Sequence, residues 1–80
     1  AGDRRTRARE RVAALAERER EVALRMGRGL ANAQTAADLF MSVPTAKTHV
    51  SRVLAKLSLG NRVRTALLVH DAGLLDEDAY

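Results

Sequence analysis

Pro44, Thr48, Ser51, Arg52 and Ala55 recur at intervals that gather them on one face of a helix, with Lys47 on one flank and His49 and Lys56 towards the other. A helix face turned to water is ordinarily filled with Glu, Lys and Gln. This one is polar but short, and no carboxylate occurs anywhere between Asp38 and Asp71. Such a face suits hydrogen bonding at close range to a rigid, anionic surface. Short side chains let a helix seat deep in a duplex major groove, where Lys47 and Arg52 reach acceptors on guanine or on flanking phosphates. An acid on that face would meet a wall of phosphate. The competing view is a solvated face whose charges happen to be basic.

Charge along the chain points the same way. Residues 1–14 carry five arginines against two acids, and residues 41–64 carry Lys47, Arg52, Lys56, Arg62 and Arg64 with no acid. The end of the chain holds Asp71, Asp76, Glu77 and Asp78 and no base. A basic middle followed by an acidic tail suits a polyanionic partner.

Other chemistries find little support. With no cysteine in the chain, disulfides and thiolate metal sites are excluded. His49 and His70 fall on different helices without companions for a metal site, and each reads as a half-buried, hydrogen-bonded histidine. Gly27 and Gly29 flank a helix end and follow no strand, so they do not make a phosphate-binding loop. No nucleophile–base pair is present, and neither catalysis nor a cofactor is expected. Glu17, Glu19 and Glu21 alternate with arginines and read as surface pairs such as Glu21–Arg25. No apolar run approaches a membrane span or a signal peptide, which gives a soluble, cytoplasmic expectation.

The elements that must position the face are helical, since strong helix formers dominate and strand formers are sparse. Residues 1–14 offer little to bury beyond Val12 and read as a basic linker or helical lead-in. A first helix starts near Glu17, buries Val22, Ala23 and Met26, and stops at Gly27 and Gly29. A second runs from about Asn32, its expected N-cap, to Phe40, with Ala36, Leu39 and Phe40 as its buried side and Ala33 and Ala37 as small neighbours. After a sharp turn, Ser42 caps the third helix, Pro44 lies in its first turn, and Val43, Ala46, Val50, Val53, Leu54 and Leu57 form the buried stripe. Asn61 caps a fourth, which uses Val63, Ala66, Leu67 and Val69 or His70 and ends at Gly73. The expectation is an all-α, compact four-helix bundle in which the second and third helices form a helix-turn-helix. Residues 15–75 make the domain, and residues 76–80 an acidic tail.

Three stretches carry a family pattern: LAEREREV over 15–22, GLAN over 29–32, and SVPTAKTHVSRVLAKL over 42–57. Together they resemble the LuxR-type helix-turn-helix at the C-terminus of NarL/FixJ response regulators and of LuxR quorum-sensing regulators. The resemblance implies a four-helix domain whose third helix, about Val43–Leu57, reads the major groove. It implies that Lys47, Thr48 and Ser51 face bases and that Arg52 and Lys56 lie nearer the DNA backbone. Helix starts at Asn32 and Ser42, with the Thr45 hydroxyl, are suited to holding phosphates, although Thr45 can equally bond within its own helix. It further implies pairing of two domains through Val63 and Leu67 on the fourth helix, residues that by spacing alone could equally pack inward. A receiver or sensor domain would precede the chain, with RNA polymerase as a further partner.

Several positions depart from the pattern. Ala16 stands where a capping Thr is usual, which costs roughly 1 kcal/mol. Arg25 replaces an apolar residue, with Leu24 displaced to a polar position, Thr35 replaces Ile or Val, Ala46 replaces Val, and Ala31 stands where Ser is common. These changes make the core smaller and more polar. The expected function is sequence-specific binding of double-stranded DNA by the effector domain of a bacterial transcriptional regulator of the two-component type. The alternative is a protein-interaction module on the same scaffold that has lost DNA binding. A promoter-reading sigma-factor region is a closer rival, against which the REREV start argues.

Overall fold

The computed structural model describes residues 3–74, which form five helices and no strand. These are α1 (Asp3–Ala13), α2 (Glu17–Gly27), α3 (Asn32–Asp38), α4 (Val43–Lys56) and α5 (Arg62–Asp71). The acidic tail expected at 76–80 lies outside the described residues.

Helix α2 is the centre of the fold. Its stripe of Val22, Ala23 and Met26 is completely buried and packs against both α4 and α5. Helix α4 turns Ala46, Val50, Val53 and Leu57 inward at intervals of four, three and four, as its periodicity requires. Val43, at the outer end of that stripe, is 37% exposed. Helix α3 lies on α4. Ala36 and Ala46 are both buried there, while Ala33 and Ala37 face solvent.

Three expectations are corrected. Residues 3–13 do more than lead in: α1 packs on α5 and puts Ala8 and Val12 into the core. Beyond Val12 this stripe is hard to read because Ala8 is small and stands between arginines, and the arginines complete the contact. Arg4 pairs with Asp71 at 3.1 Å, Arg9 donates to the Ala72 carbonyl at 2.8 Å, and Arg11 donates to the Leu57 carbonyl. Three of the basic residues of the expected linker or lead-in thus serve the C-terminal ends of α4 and α5, where carbonyls lack helical partners.

The second correction concerns caps. Ala31, rather than Asn32, precedes α3, and Gln34 Oε1 accepts from the Ala31 N–H at 2.8 Å. Glu19 serves Ala16 in the same way at 3.0 Å. In both places an alanine without an acceptor is compensated from the third helical residue, half of a capping box. Ser42 and Asn61 cap α4 and α5 as expected, accepting from Thr45 N at 3.2 Å and Arg64 N at 3.1 Å.

The third is Phe40, expected inside and found 95% exposed. It occupies the left-handed position after α3, where Met41 N bonds back to the Ala36 carbonyl at 2.9 Å. The same position is filled by Gly29 after α2, Ser58 after α4 and Gly73 after α5. At Gly73 the φ of +72 disfavours a side chain, and the Arg5 guanidinium, 2.8 Å from where a Cβ would sit, would have to move aside for one. Phe40 and Ser58 lack that freedom, and a left-handed φ costs a residue with a Cβ about 1 kcal/mol or more. On α5, Val69 is buried with Thr65 and Leu68, and of the two alternatives open to Val63 and Leu67 they do not pack inward, being 65% and 59% exposed.

Two measurements check this packing. Val12→Ala should lower the unfolding free energy by about 2 kcal/mol in urea titrations, whereas a mere linker residue would leave it unchanged. Thr35 is 1% exposed and its hydroxyl finds no partner among the described residues. Thr35→Val should therefore raise stability by about 1 kcal/mol, since a buried, unbonded hydroxyl is replaced by a methyl of similar size.

Candidate nucleic-acid interface

Helix α4 is long because nothing in its sequence stops it before Leu57, and it is amphipathic because Ala46, Val50, Val53 and Leu57 bind it to the core. The other side is exposed at Pro44, Thr45, Lys47, Thr48, Ser51, Arg52 and Ala55. The structure brings Lys47, Thr48, Ser51 and Arg52 to one open surface of one helix. No described residue pairs with Lys47, and its ammonium projects from a face without acids.

The N-terminal end of α4 is organised by hydroxyls. Ser42 Oγ accepts from the Thr45 N–H and donates to Thr45 Oγ1 at 2.8 Å. The Thr45 hydroxyl receives that proton and keeps its own, which makes it a donor for an external acceptor. Thr48 Oγ1 donates to the Pro44 carbonyl at 3.0 Å, so its outward chemistry is a methyl group and oxygen lone pairs. A methyl and an acceptor match the thymine methyl and an exocyclic amino group respectively.

Other anticipated contacts are engaged in holding the fold. Asn32 Oδ1 accepts from Arg62 Nη1 at 3.1 Å, and Arg62 Nη2 donates to the Leu30 carbonyl at 2.7 Å, which ties the start of α3 to α5. Lys56 Nζ lies 2.7 Å from Glu19 Oε1, a carboxylate only 4% exposed. His49 is half-buried, and its Nδ1 has no partner among the described residues.

Glu19 is the residue that sequence reasoning missed. Read as one of a row of surface acids, it is instead the buried link between α2 and the end of α4. The signal was its place three residues after Ala16, where a capping-box carboxylate belongs. The hydrogen bond from Lys56 holds its carboxyl below the ordinary glutamate value. Burial opposes this, while the Ala16 N–H and the charges of Lys56 and Arg52 reinforce it.

Arginines of α2 fix the turn before α4. Arg18 Nη2 donates to the Leu39 carbonyl at 3.0 Å while its Nη1 meets Glu21 at 2.7 Å. Arg25, at a position expected to be apolar, pairs with Asp38 at 2.8 Å instead of with the Glu21 carboxylate. Its only bond to Glu21 is to the backbone carbonyl, at 3.3 Å. Asp38, the last acid before the basic surface, is thereby neutralised. Val63 and Leu67 stand one turn apart on α5, and Leu67 lines an open groove with Leu59, Arg64, Arg4 and Arg11.

A family described as "Bacterial regulatory proteins, luxR family" matches residues 13–69. Over 58 residues the chain is 43% identical to the uncharacterized transcriptional regulatory protein YhcZ of Bacillus subtilis, covering 72% of this chain and 27% of that one. It is 32% identical to the transcriptional regulatory protein LiaR of the same organism, covering 70% and 26%. It is 33% identical to the response regulator protein VraR of Staphylococcus aureus, covering 76% and 29%. The chain thus spans little more than a quarter of the length of these relatives.

Glu19 contributes stability above its ordinary pKa of 4.5 and loses it as pH falls through the lower folded value. Glu19→Gln should cost about 1–2 kcal/mol at pH 7, a modest figure because Lys56 is 50% exposed. Urea titrations should show the gap between parent and variant closing below pH 4.5. An equal gap in acid would refute the ion-pair account.

Proposed function

The chain belongs to the luxR family of bacterial regulatory proteins, which are DNA-binding transcription regulators, and from that premise we propose that α4 reads the major groove of its target duplex. The observation that carries the proposal is the outer face of α4, exposed, short and acid-free, with Lys47 unpaired among the described residues. Lys47, Thr48 and Ser51 meet base edges in this reading, and Arg52 and the Thr45 hydroxyl meet phosphates. Ser42 contributes by capping α4 and orienting the Thr45 hydroxyl. Lys56 and Asn32 act mainly by holding α4 and α3 in place.

The parent protein, on this reading, is a two-component response regulator. A receiver or sensor domain precedes the DNA-binding unit, and α1 is the last element of the connection between them. Two copies pair on DNA through Val63 and Leu67, whose apolar side chains are turned to solvent. RNA polymerase is the downstream partner. The domain acts by recognition alone, without catalysis or cofactor. Its working compartment is the cytoplasm, and among the described residues no helix is long and apolar enough to cross a membrane.

Counterion release supplies most of the affinity, which fixes the test. Lys47→Ala and Arg52→Ala should each weaken duplex binding and flatten the slope of log K against log salt by about 1. Only Lys47→Ala should also reduce discrimination between duplex sequences, by about 1–3 kcal/mol at the position it contacts. Unchanged affinity and slope in both variants would favour an interaction module over a DNA reader.

A further inference from the structure

Phe40 is costly to the fold twice over. Its ring is 95% exposed, so it gains nothing from burial, and its φ of +56 is one that a bulky side chain adopts with strain. The helix ends after α2 and α5 meet the same backbone requirement with Gly29 and Gly73. Glycine or asparagine at 40 would relieve both costs. Strain of this kind persists where a side chain is needed for something beyond the fold.

The surroundings specify what that is. Two residues on, Ser42 opens α4, and three and four residues on, Val43 and Pro44 are also exposed. A donor borders this apolar strip: the Thr45 hydroxyl, which accepts from Ser42 and keeps its own proton. The acids about this turn, Asp38 and Glu21, are paired with Arg25 and Arg18. An apolar strip edged by a hydroxyl donor and free of unpaired acid complements a nucleic-acid strand, whose sugars present C–H faces between anionic phosphates. A purely apolar rim would instead suit a protein surface.

We propose that Phe40, with Val43 and Pro44, packs against deoxyribose of the strand bordering the groove that α4 enters. This rests on the reading of α4 as the DNA-binding helix. The ring adds apolar contact without releasing a counterion, so it raises affinity uniformly across sequences and leaves the salt dependence untouched.

The chain contains no tryptophan, so Phe40→Trp supplies a single reporter. The 80-residue chain carrying it should be titrated at low salt with a fluorescein-labelled duplex of random sequence. Tryptophan emission should be quenched or shifted in step with the rise in DNA anisotropy. Phe40→Asn should melt at a higher denaturant concentration than the parent, yet bind roughly three- to tenfold more weakly with the same salt slope. A rise in anisotropy with unchanged emission overturns the role of Phe40 and leaves α4 as the reader. So does Phe40→Asn binding as tightly as the parent. Emission that depends on protein concentration without DNA assigns the ring to a second copy and also overturns it. Failure of the parent chain to bind any duplex overturns the reading of α4 as well.

Discussion

A helix that offers one face to a partner must be held wholly from the other, and α4 is held that way. Its inner stripe locks against Val22, Ala23 and Met26 of α2, a contact made without large side chains and therefore close. Behind the stripe, polar ties act at its ends. Arg18 holds the Leu39 carbonyl ahead of the turn, Glu19 holds Lys56, and Arg11 holds the Leu57 carbonyl. None of these uses the exposed face. The outer residues are thus free to be chosen for recognition, because stability is supplied elsewhere.

The arginines divide by what they reach. Arg4, Arg9, Arg11, Arg18, Arg20 and Arg25 of α1 and α2 reach carbonyls or carboxylates, most of them at or beside helix ends, where the helix dipole and the unpaired C=O groups favour a cation. Those at Arg52 and Arg64 stay in solvent. A count of charge over a segment mixes the two populations, which is why residues 1–14 read as a basic linker or lead-in. Arginine can serve both ends because its aliphatic stem covers apolar surface while its fork makes several bonds. In α1 this lets Ala8 and Val12 suffice as a core contribution.

The departures from the family pattern have local answers. Arg25 is not an apolar position gone wrong, since Asp38 receives it across the α2–α3 contact. Ala16 and Ala31 lose a capping oxygen and regain part of the cap from Glu19 and Gln34. Thr35 and Thr65 remain buried without a hydrogen-bond partner among the described residues, and nothing in the structure explains their hydroxyls. Ala46 is fully buried beside α3 and removes bulk at the root of α4.

Periodicity, capping residues and turn chemistry are local, and these were legible: the four helices from Glu17 to Asp71, the caps Ser42 and Asn61, the ends at Gly29 and Gly73, and the exposed face of Lys47, Thr48, Ser51 and Arg52. What depends on which helix lies against which was not legible. For Val63 and Leu67 the spacing left open whether they pack inward or meet a partner, and only the packing of α1 and α2 on the side of Thr65, Leu68 and Val69 leaves both exposed. Phe40 looked like core because it is apolar, until the left-handed turn carried it outward. Glu19 looked like surface because its partner is 37 residues away. By itself the sequence determined which residues could share a helix face. Only the tertiary structure decided which face is inside, because burial is a property of neighbours distant along the chain.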